Sequence, residues 1–293
     1  MNKKQIKDTN FEFAKEEFSY ASFIENDIII TDKMNRNPMN RGPWRMTFIL
    51  VALCTRGTAK YTVDTQERVI QKNDVIIISE RHVVDDYESS SDIEGLFMMI
   101  SVNFFYEIIR NVSDISSLFL FSTDHPVVNL SQREVDIFKS YFSMLKDKTI
   151  DTQNHYRRDV VRALILAMFY DLGNVIYRAR RITDKRQTRA EAIFTNFIML
   201  VKNNYKKERR VGWYAGQICI TPKYLSETVK QVSKRTPNEW IDSYVTLEIR
   251  TQLKNSIRSI KEIATEMNFP NQSFFGKYFK EHVGMSPSDY RKS

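Results

Sequence analysis

The sequence predicts an α+β protein of two domains: an antiparallel β-barrel or sandwich with flanking helices, then an all-α domain of two similar units joined by a long helix. Three observations carry that expectation. Between Phe23 and about Ile100, short apolar runs recur between turn residues. After Asn103 the apolar spacing changes from a period near 2 to one near 3.6. From Thr221 to Tyr290 one helical pattern occurs twice at an offset of 50, so that Leu225 falls on Phe275, Val229 on Phe279, Pro237 on Pro287 and Trp240 on Tyr290.

At 293 residues the chain is long enough for two cores, and 42% apolar with 27% charged residues is ordinary for a globular protein. The charge is uneven. Residues 1–180 carry 23 Lys and Arg against 25 Asp and Glu; from totals of 44 and 36, that leaves 21 against 11 for residues 181–293. The whole excess of +8 therefore comes from the C-terminal part, and positive charge gathered in one segment suits a polyanion. Cys54 and Cys219 are the two cysteines, too few for a disulfide framework or a CxxC metal site, and both are expected to be small buried residues. The N-terminus has no apolar signal region, and the run Ala163–Tyr170 is far short of the roughly 20 residues of a membrane span. A cytoplasmic, reduced protein without a membrane partner is expected.

In order, residues 1–20 are polar and mixed in charge and read as a loosely held arm. Residues 21–180 read as one domain, with strands over 21–105 and helices over 106–180. The strand runs are DIIITD, MTFILVALC, AKYTVD, RVIQ, DVIIIS and GLFMMISV, separated by Arg56-Gly57, Lys72-Asn73-Asp74 and Glu88 to Asp92. Six or seven short strands at this spacing suit a barrel or sandwich. Ser131-x-x-Glu134 is a capping box opening a helix with Val135, Phe138, Phe142 and Leu145 on one face. A second helix, about Tyr156 to Arg178, carries Val160, Leu164, Met168, Leu172 and Ile176 as a stripe. These helices either cover the sheet or form a dimer interface. Residues 181–190 are basic with almost no apolar content and read as a linker, leaving 191–293 as the second domain.

The second domain begins with a helix from about Ala190 to Tyr205, with Ile193, Phe194, Phe197, Val201 and Tyr205 inward. In the next segment Val211, Tyr214, Ala215 and Ile218 face inward as the first helix of a helix-turn-helix. Thr221 is a good N-cap and Pro222 a good first helical residue, since its missing N–H would be unpaired there anyway. With Leu225 and Val229 buried, the outer face presents Lys223, Tyr224, Ser226, Glu227 and Lys230. Thr236 to Glu239 and Ser259 to Glu262 are capping boxes for the long helix and for the second unit. In that unit Asn271 is the N-cap, Phe275 and Phe279 are core, and Gln272, Ser273, Lys277 and Lys280 face away. Phe274 is expected in the core. The first helices match at an offset of 49, so the second turn is one residue longer.

A helix-turn-helix fits the major groove, where side-chain amides, hydroxyls and cations meet distinct base-edge patterns. The candidate DNA-contacting residues are Lys223, Tyr224, Ser226, Glu227 and Lys230 in the first unit, and Asn271, Gln272, Ser273, Lys277 and Lys280 in the second. Gln272 suits adenine, Lys223 and Lys277 suit guanine or phosphate, and Glu227 can accept from a cytosine amino group. A rigid connecting helix would set the two readers about 34 Å apart on one face of a bent duplex.

Two resemblances add to this reading. On IKEIATEMNF, QSFFGKYFKEHVGMSPSDYR and, less closely, TPKYLSETVK, the C-terminal part resembles the AraC/XylS family of bacterial transcription regulators. The order of strand runs, with Gly57 and Lys72-Asn73-Asp74 between them, resembles the cupin-type barrel of sensor domains. The resemblances imply that the outer-face residues read DNA and that residues 21–180 form a cupin-like effector-binding and dimerisation domain. There are departures. Asn268 stands where the family has Gly; Lys234 replaces the Gly that Gly284 supplies in the second unit, so the first unit is expected to end differently; Gly276 leaves a gap on the second reading helix. His82, expected in a loop or at the rim, is the one histidine of the strand region and cannot hold a cupin metal alone.

The expected function is a sequence-specific DNA-binding transcription regulator, not an enzyme, with no metal and no cofactor. Its expected partners are double-stranded DNA at a promoter or operator, a candidate small-molecule effector, RNA polymerase and a second copy of the chain. The alternative is a regulator governed by a protein partner or self-association. A DNA-repair methyltransferase fused to this tail would need a nucleophilic Cys in a Pro-Cys-His setting, which Ala52-Leu53-Cys54-Thr55 does not provide.

Overall fold

The computed structural model describes residues 6–18, 21–32, 42–64, 66–109, 127–182 and 188–292. The chain divides into two compact units, 1–185 and 186–293. Of the expected linker, residues 183–187 lie outside the described residues.

The first unit holds β1 (Lys7–Asp8), α1 (Phe11–Glu17), β2 (Ser22–Ile24), β3 (Ile28–Thr31), β4 (Trp44–Arg45), β5 (Phe48–Arg56), β6 (Thr58–Val63), β7 (Gln66–Gln71), β8 (Asp74–Ile78), β9 (Val83–Ser89) and β10 (Glu94–Ser101). It continues with α2 (Val102–Ile109), β11 (Val127–Asn129), α3 (Gln132–Ile150) and α4 (Arg157–Ile182). The expected change from strand to helix near 105 is less clean than the spacing implies, since α2 starts at Val102 and β11 follows it.

The strands form a five-stranded sheet, β1-β4-β9-β6-β7, and a six-stranded one, β11-β8-β5-β10-β3-β2. The described pairings are antiparallel except β1 with β4. The β architecture is thus two sheets sharing one core. Along β5, Phe48, Leu50, Ala52 and Cys54 enter that core with Tyr61 and Ile70 of the other sheet and Phe97 of β10. The alternate residues Ile49, Val51 and Leu53 are also buried, so the second face of the six-stranded sheet is covered too. α2 packs on β5 and β10, and α3 on β2. Gly57 is needed where it stands: at φ 74 a Cβ there would lie 2.6 Å from Ser90 Oγ and 2.8 Å from Ile93 Cα.

Two expectations are corrected here, for the N-terminal arm and for α4. The described part of the N-terminal arm is packed, not loose: β1 pairs with β4, and Ala14 and Phe18 join the core. Its apolar residues were too few to show a period, yet Phe11, Ala14 and Phe18 pack against the core between the sheets. His82 lies, as expected, in a loop, the one before β9, where it is 3% exposed. Its Nδ1 is 2.8 Å from Asp64 Oδ2, while Asp64 Oδ1 accepts the Val83 N–H at 3.0 Å, so the pair pins the β6–β7 turn to β9. On α4 the buried stripe is Val161, Ile165, Met168, Phe169, Leu172 and Ile176, with Val160 and Leu164 half-buried. Strict steps of four drift about 40° each against a 3.6-residue turn, so the true stripe alternates steps of three and four.

The Ser131 box forms, with the Ser131 N–H donating to Glu134 at 2.8 Å, and Val135, Phe138, Phe142 and Leu145 are buried. By length and composition alone, Arg157–Arg178 of α4 would suffice to cross a membrane. Arg158 of that helix instead binds Asp27 at 2.5 Å and Glu107 at 2.7 Å, tying α4 to the β2–β3 turn and to α2.

Candidate nucleic-acid interface

The second unit holds α5 (Arg189–Asn204), α6 (Val211–Gln217), α7 (Pro222–Ser233), α8 (Pro237–Asn255), α9 (Ile260–Glu266), α10 (Gln272–Val283) and α11 (Pro287–Lys292). α5 opens on a capping box that the sequence reading passed over: Thr188 accepts the Glu191 N–H at 3.2 Å, and Glu191 accepts the Thr188 N–H at 2.7 Å. Its signal, Thr188-x-x-Glu191, straddles the end of the stretch 181–190 that reads as linker. α5 belongs to the first helix-turn-helix, for Phe194 meets Trp240 edge-on at 5.5 Å and Phe197 meets Tyr214 at 5.7 Å.

The two turns match residue for residue at an offset of 49. Ile220 N–H closes on Ala215 O at 3.0 Å, and Phe269 N–H on Ala264 O at 2.9 Å. Between them Cys219 and Asn268 take left-handed φ of 58 and 53. That conformation carries Cys219 to the surface, which corrects its expected burial; Cys54 is buried as expected. The reading helices then start on their caps, Thr221 accepting the Tyr224 N–H at 3.2 Å and Asn271 the Phe274 N–H at 2.9 Å. The second start comes one residue later relative to its turn, because Pro270 is inserted.

Leu225 and Val229 on α7, and Phe275 and Phe279 on α10, are fully buried. The opposite face of α7 exposes Lys223, Tyr224, Glu227 and Lys230; Ser226 is half-buried and its hydroxyl donates to Pro222 O at 2.8 Å. On α10, Asn271, Gln272, Ser273, Lys277 and Lys280 are exposed, with Asn271 engaged as the cap. Phe274 is corrected from core to surface. It is 63% exposed, and its counterpart at the offset of 50, Tyr224, is 40% exposed. One residue before an inward Phe275 turns a side chain about 100° away, so the aromatic type misled where the helical angle would not.

The expected different ending of the first unit is also corrected. Lys234 adopts φ 58, ψ 6 and Gly284 φ 87, ψ −11, so both reading helices stop on a left-handed residue. Gly276 does leave open space, with nothing within 4 Å of a Cβ built there.

The boxes at Thr236 and Ser259 form, with the Glu239 and Glu262 N–H groups donating at 3.3 and 3.2 Å, and at the start of α11 the Ser286 hydroxyl accepts the Asp289 N–H at 3.2 Å. α8 joins the units through polar ties. Buried Glu248 takes Lys206 Nζ at 2.7 Å and the Tyr205 hydroxyl at 3.1 Å, which satisfies a charge that would be costly alone. The Tyr278 hydroxyl donates to Asp242 Oδ1 at 2.6 Å, and burial pushes its pKa well up, so it stays a donor. Among the described residues no group of three or more His, Cys, Asp or Glu could hold a metal ion.

Residues 214–293 match the family of the helix-turn-helix domain. An uncharacterized HTH-type transcriptional regulator of Escherichia coli K12, YdiP, is 20% identical over 240 residues, 81% of this chain and 76% of that one. The transcriptional activator RhaS of Pectobacterium atrosepticum is 29% identical over 91 residues, 31% of this chain and 33% of its own, and the melibiose operon regulatory protein of E. coli K12 is 25% identical over 103 residues, 35% and 34%. The chain thus spans about a third of the length of those two regulators. Among solved structures, the C-terminal domain of AraT from Geobacillus stearothermophilus is 22% identical, covering 36% of this chain and 88% of that one, with a TM-score of 0.34. ToxT from Vibrio cholerae with an unsaturated fatty acid bound is 16% identical, 90% and 93% covered, with a TM-score of 0.36. Residues 214–293 are a helix-turn-helix domain, and they are similar to the corresponding part of AraC-type transcriptional regulators.

Proposed function

We propose that this chain is a sequence-specific DNA-binding transcription regulator whose two reading helices, α7 and α10, contact base edges through the exposed residues named above. The observation that carries the reading is the paired geometry: two capped helices of equal length, 50 residues apart, turn polar and cationic faces outward from cores built on the same positions. The charge bias of the same segment, 21 basic against 11 acidic residues, supports a polyanionic partner. Selecting duplexes from a random pool tests it. A consensus of two half-sites about one helical turn apart is expected, and recovery of unrelated sequences would overturn it.

We further propose that the N-terminal unit receives the controlling signal. A groove of about 320 Å³ between α3 and α4 supports an effector there, with Phe138, Met168 and Leu172 beneath and Arg133, Tyr141 and Arg178 around it. Titrating the chain with candidate metabolites tests the idea, because a ligand of the folded state raises the melting temperature. A second copy of the chain is the partner proposed for the outer faces of these helices, where Ile137, Met144, Tyr170 and Tyr177 are exposed. Sedimentation at micromolar concentration reads it out, and a monomer there excludes it. Contact with RNA polymerase and a cytoplasmic location belong to the same regulator reading.

A further inference from the structure

We infer that Arg209 is a positioning residue that ties the entry of the first helix-turn-helix to the turn of the second and so fixes the spacing of the two reading helices. The inference rests on the DNA-reading role proposed above. Arg209 lies in the segment between α5 and α6. Its Nη1 donates to Asn268 O at 3.2 Å and its Nη2 to Met267 O, and the guanidinium lies 4.1 Å from the centre of the Phe269 ring. The tie is returned from the other side, where Asn268 Nδ2 donates to Lys207 O at 2.8 Å. Residues 207–209 and 267–269 therefore hold each other across about 60 positions of sequence. The chemistry suits the place, because Met267 and Asn268 present carbonyl groups at the C-terminal end of α9, where a cation is favoured and a guanidinium fork can serve two acceptors at once.

The tie reaches the reading helix through Phe269, which packs edge-on against Phe275 and tilted against Tyr278, both at 5.2 Å. On its far side Tyr278 is bonded to Asp242 of α8. α10 is thus held from two flanks. The connection contributes its own hold: α8 ends at Asn255, Ser256 is already extended, at φ −130 and ψ 150, and α8 packs against α9, α10 and α11. The Arg209 tie adds a second hold on that unit from the entry of the first, at the turn before α10. Two linked binding modules gain from each other only when their spacing and orientation match both sites at once.

The test uses the full chain and the duplex that the wild-type protein selects from a random pool, in three forms: intact, with either half-site scrambled, and with the half-sites moved about three base pairs further apart. Arg209→Ala removes the fork. Asn268→Gly removes the returning bond while keeping a residue at ease with φ 53, so the turn itself is preserved. Both variants are expected to lose about tenfold or more on the intact duplex, to match wild type on the scrambled ones, and to discriminate less against the lengthened one. Equal losses on intact and scrambled duplexes, or unchanged discrimination by Asn268→Gly against the lengthened spacing, would overturn the role. A wild-type chain that selects no sequence sinks the regulator reading and this inference with it, an outcome distinct from the failure of the variants alone.

Discussion

Lys234 and Gly284, 50 residues apart, end the two reading helices in the same left-handed turn, each N–H closing on the carbonyl four residues back, that of Lys230 at 2.9 Å and that of Lys280 at 2.8 Å. The repeat imposes the backbone, and only one copy has the residue that suits it. A side chain in this conformation costs about 1–2 kcal/mol, partly offset because glycine leaves the unfolded chain freer by about 0.5–1 kcal/mol. Lys234→Gly is therefore expected to stabilise the domain by about 0.5–1 kcal/mol, and Gly284→Ala to destabilise it by about 1 kcal/mol, both read by urea unfolding. A loss of stability in Lys234→Gly would mean that the lysine side chain contributes more than the strain removes.

What could be read in the sequence was what is local or periodic. The boxes at Ser131, Thr236 and Ser259 join groups three residues apart, and the repeat at 50 rests on core positions whose spacing survives any packing. Thr188 obeys the same rule and was missed because its basic, apolar-poor surroundings read as linker. Phe274 and Cys219 were misplaced because residue type was allowed to outweigh angle: the first lies off the buried stripe, and the second occupies a left-handed turn. The ties from Arg209 to Met267 and from Arg158 to Asp27 span long stretches of chain and leave no periodic trace. Their partners could not be named before the fold brought them together.

Gln272 and Lys280 lie on the exposed part of α10 and separate two kinds of contact. An amide that pairs with a base edge discriminates by about 1–3 kcal/mol, whereas an ammonium on phosphate acts on every sequence alike. Gln272→Ala is expected to weaken the selected duplex by about that amount and leave a scrambled duplex unchanged. Lys280→Ala should lower the dependence of log affinity on log salt by about 1 on both. Equal losses on both duplexes for Gln272→Ala would remove it from base reading.

Glu208 ties the entry of α6, accepting the N–H groups of Arg209 and Arg210 at 3.0 Å and the Arg210 side chain at 2.7 Å. The hydrogen bond from the Arg210 side chain comes first in holding its carboxyl down to about 2, from an ordinary 4.5. A depressed carboxyl stabilises the folded state above its unfolded value and loses that contribution as pH falls through the folded one. Glu208→Gln should therefore be less stable than wild type at neutral pH, with the gap closing between about pH 4.5 and 2. A gap that stays constant across that window would show that the ionised form contributes nothing.

The two cysteines are expected to separate cleanly by reactivity. Cys54 is 2% exposed in the core between the sheets, its Sγ lies 3.3 Å from Arg56 O, and burial pushes its thiol up, away from the reactive thiolate. Cys219 is exposed in the first turn, at φ 58. A maleimide added to the folded chain should therefore label one thiol, at Cys219, and the second should become reactive only in denaturant. Because Cys219 sits two residues before the cap of α7, the labelled chain also tests the approach of DNA: an adduct there should weaken the selected duplex, and Cys219→Ser should be indifferent to the reagent. Labelling of Cys54 in the native chain at a comparable rate would contradict the packing of β5, while an adduct that leaves binding unchanged would place the first turn away from the duplex.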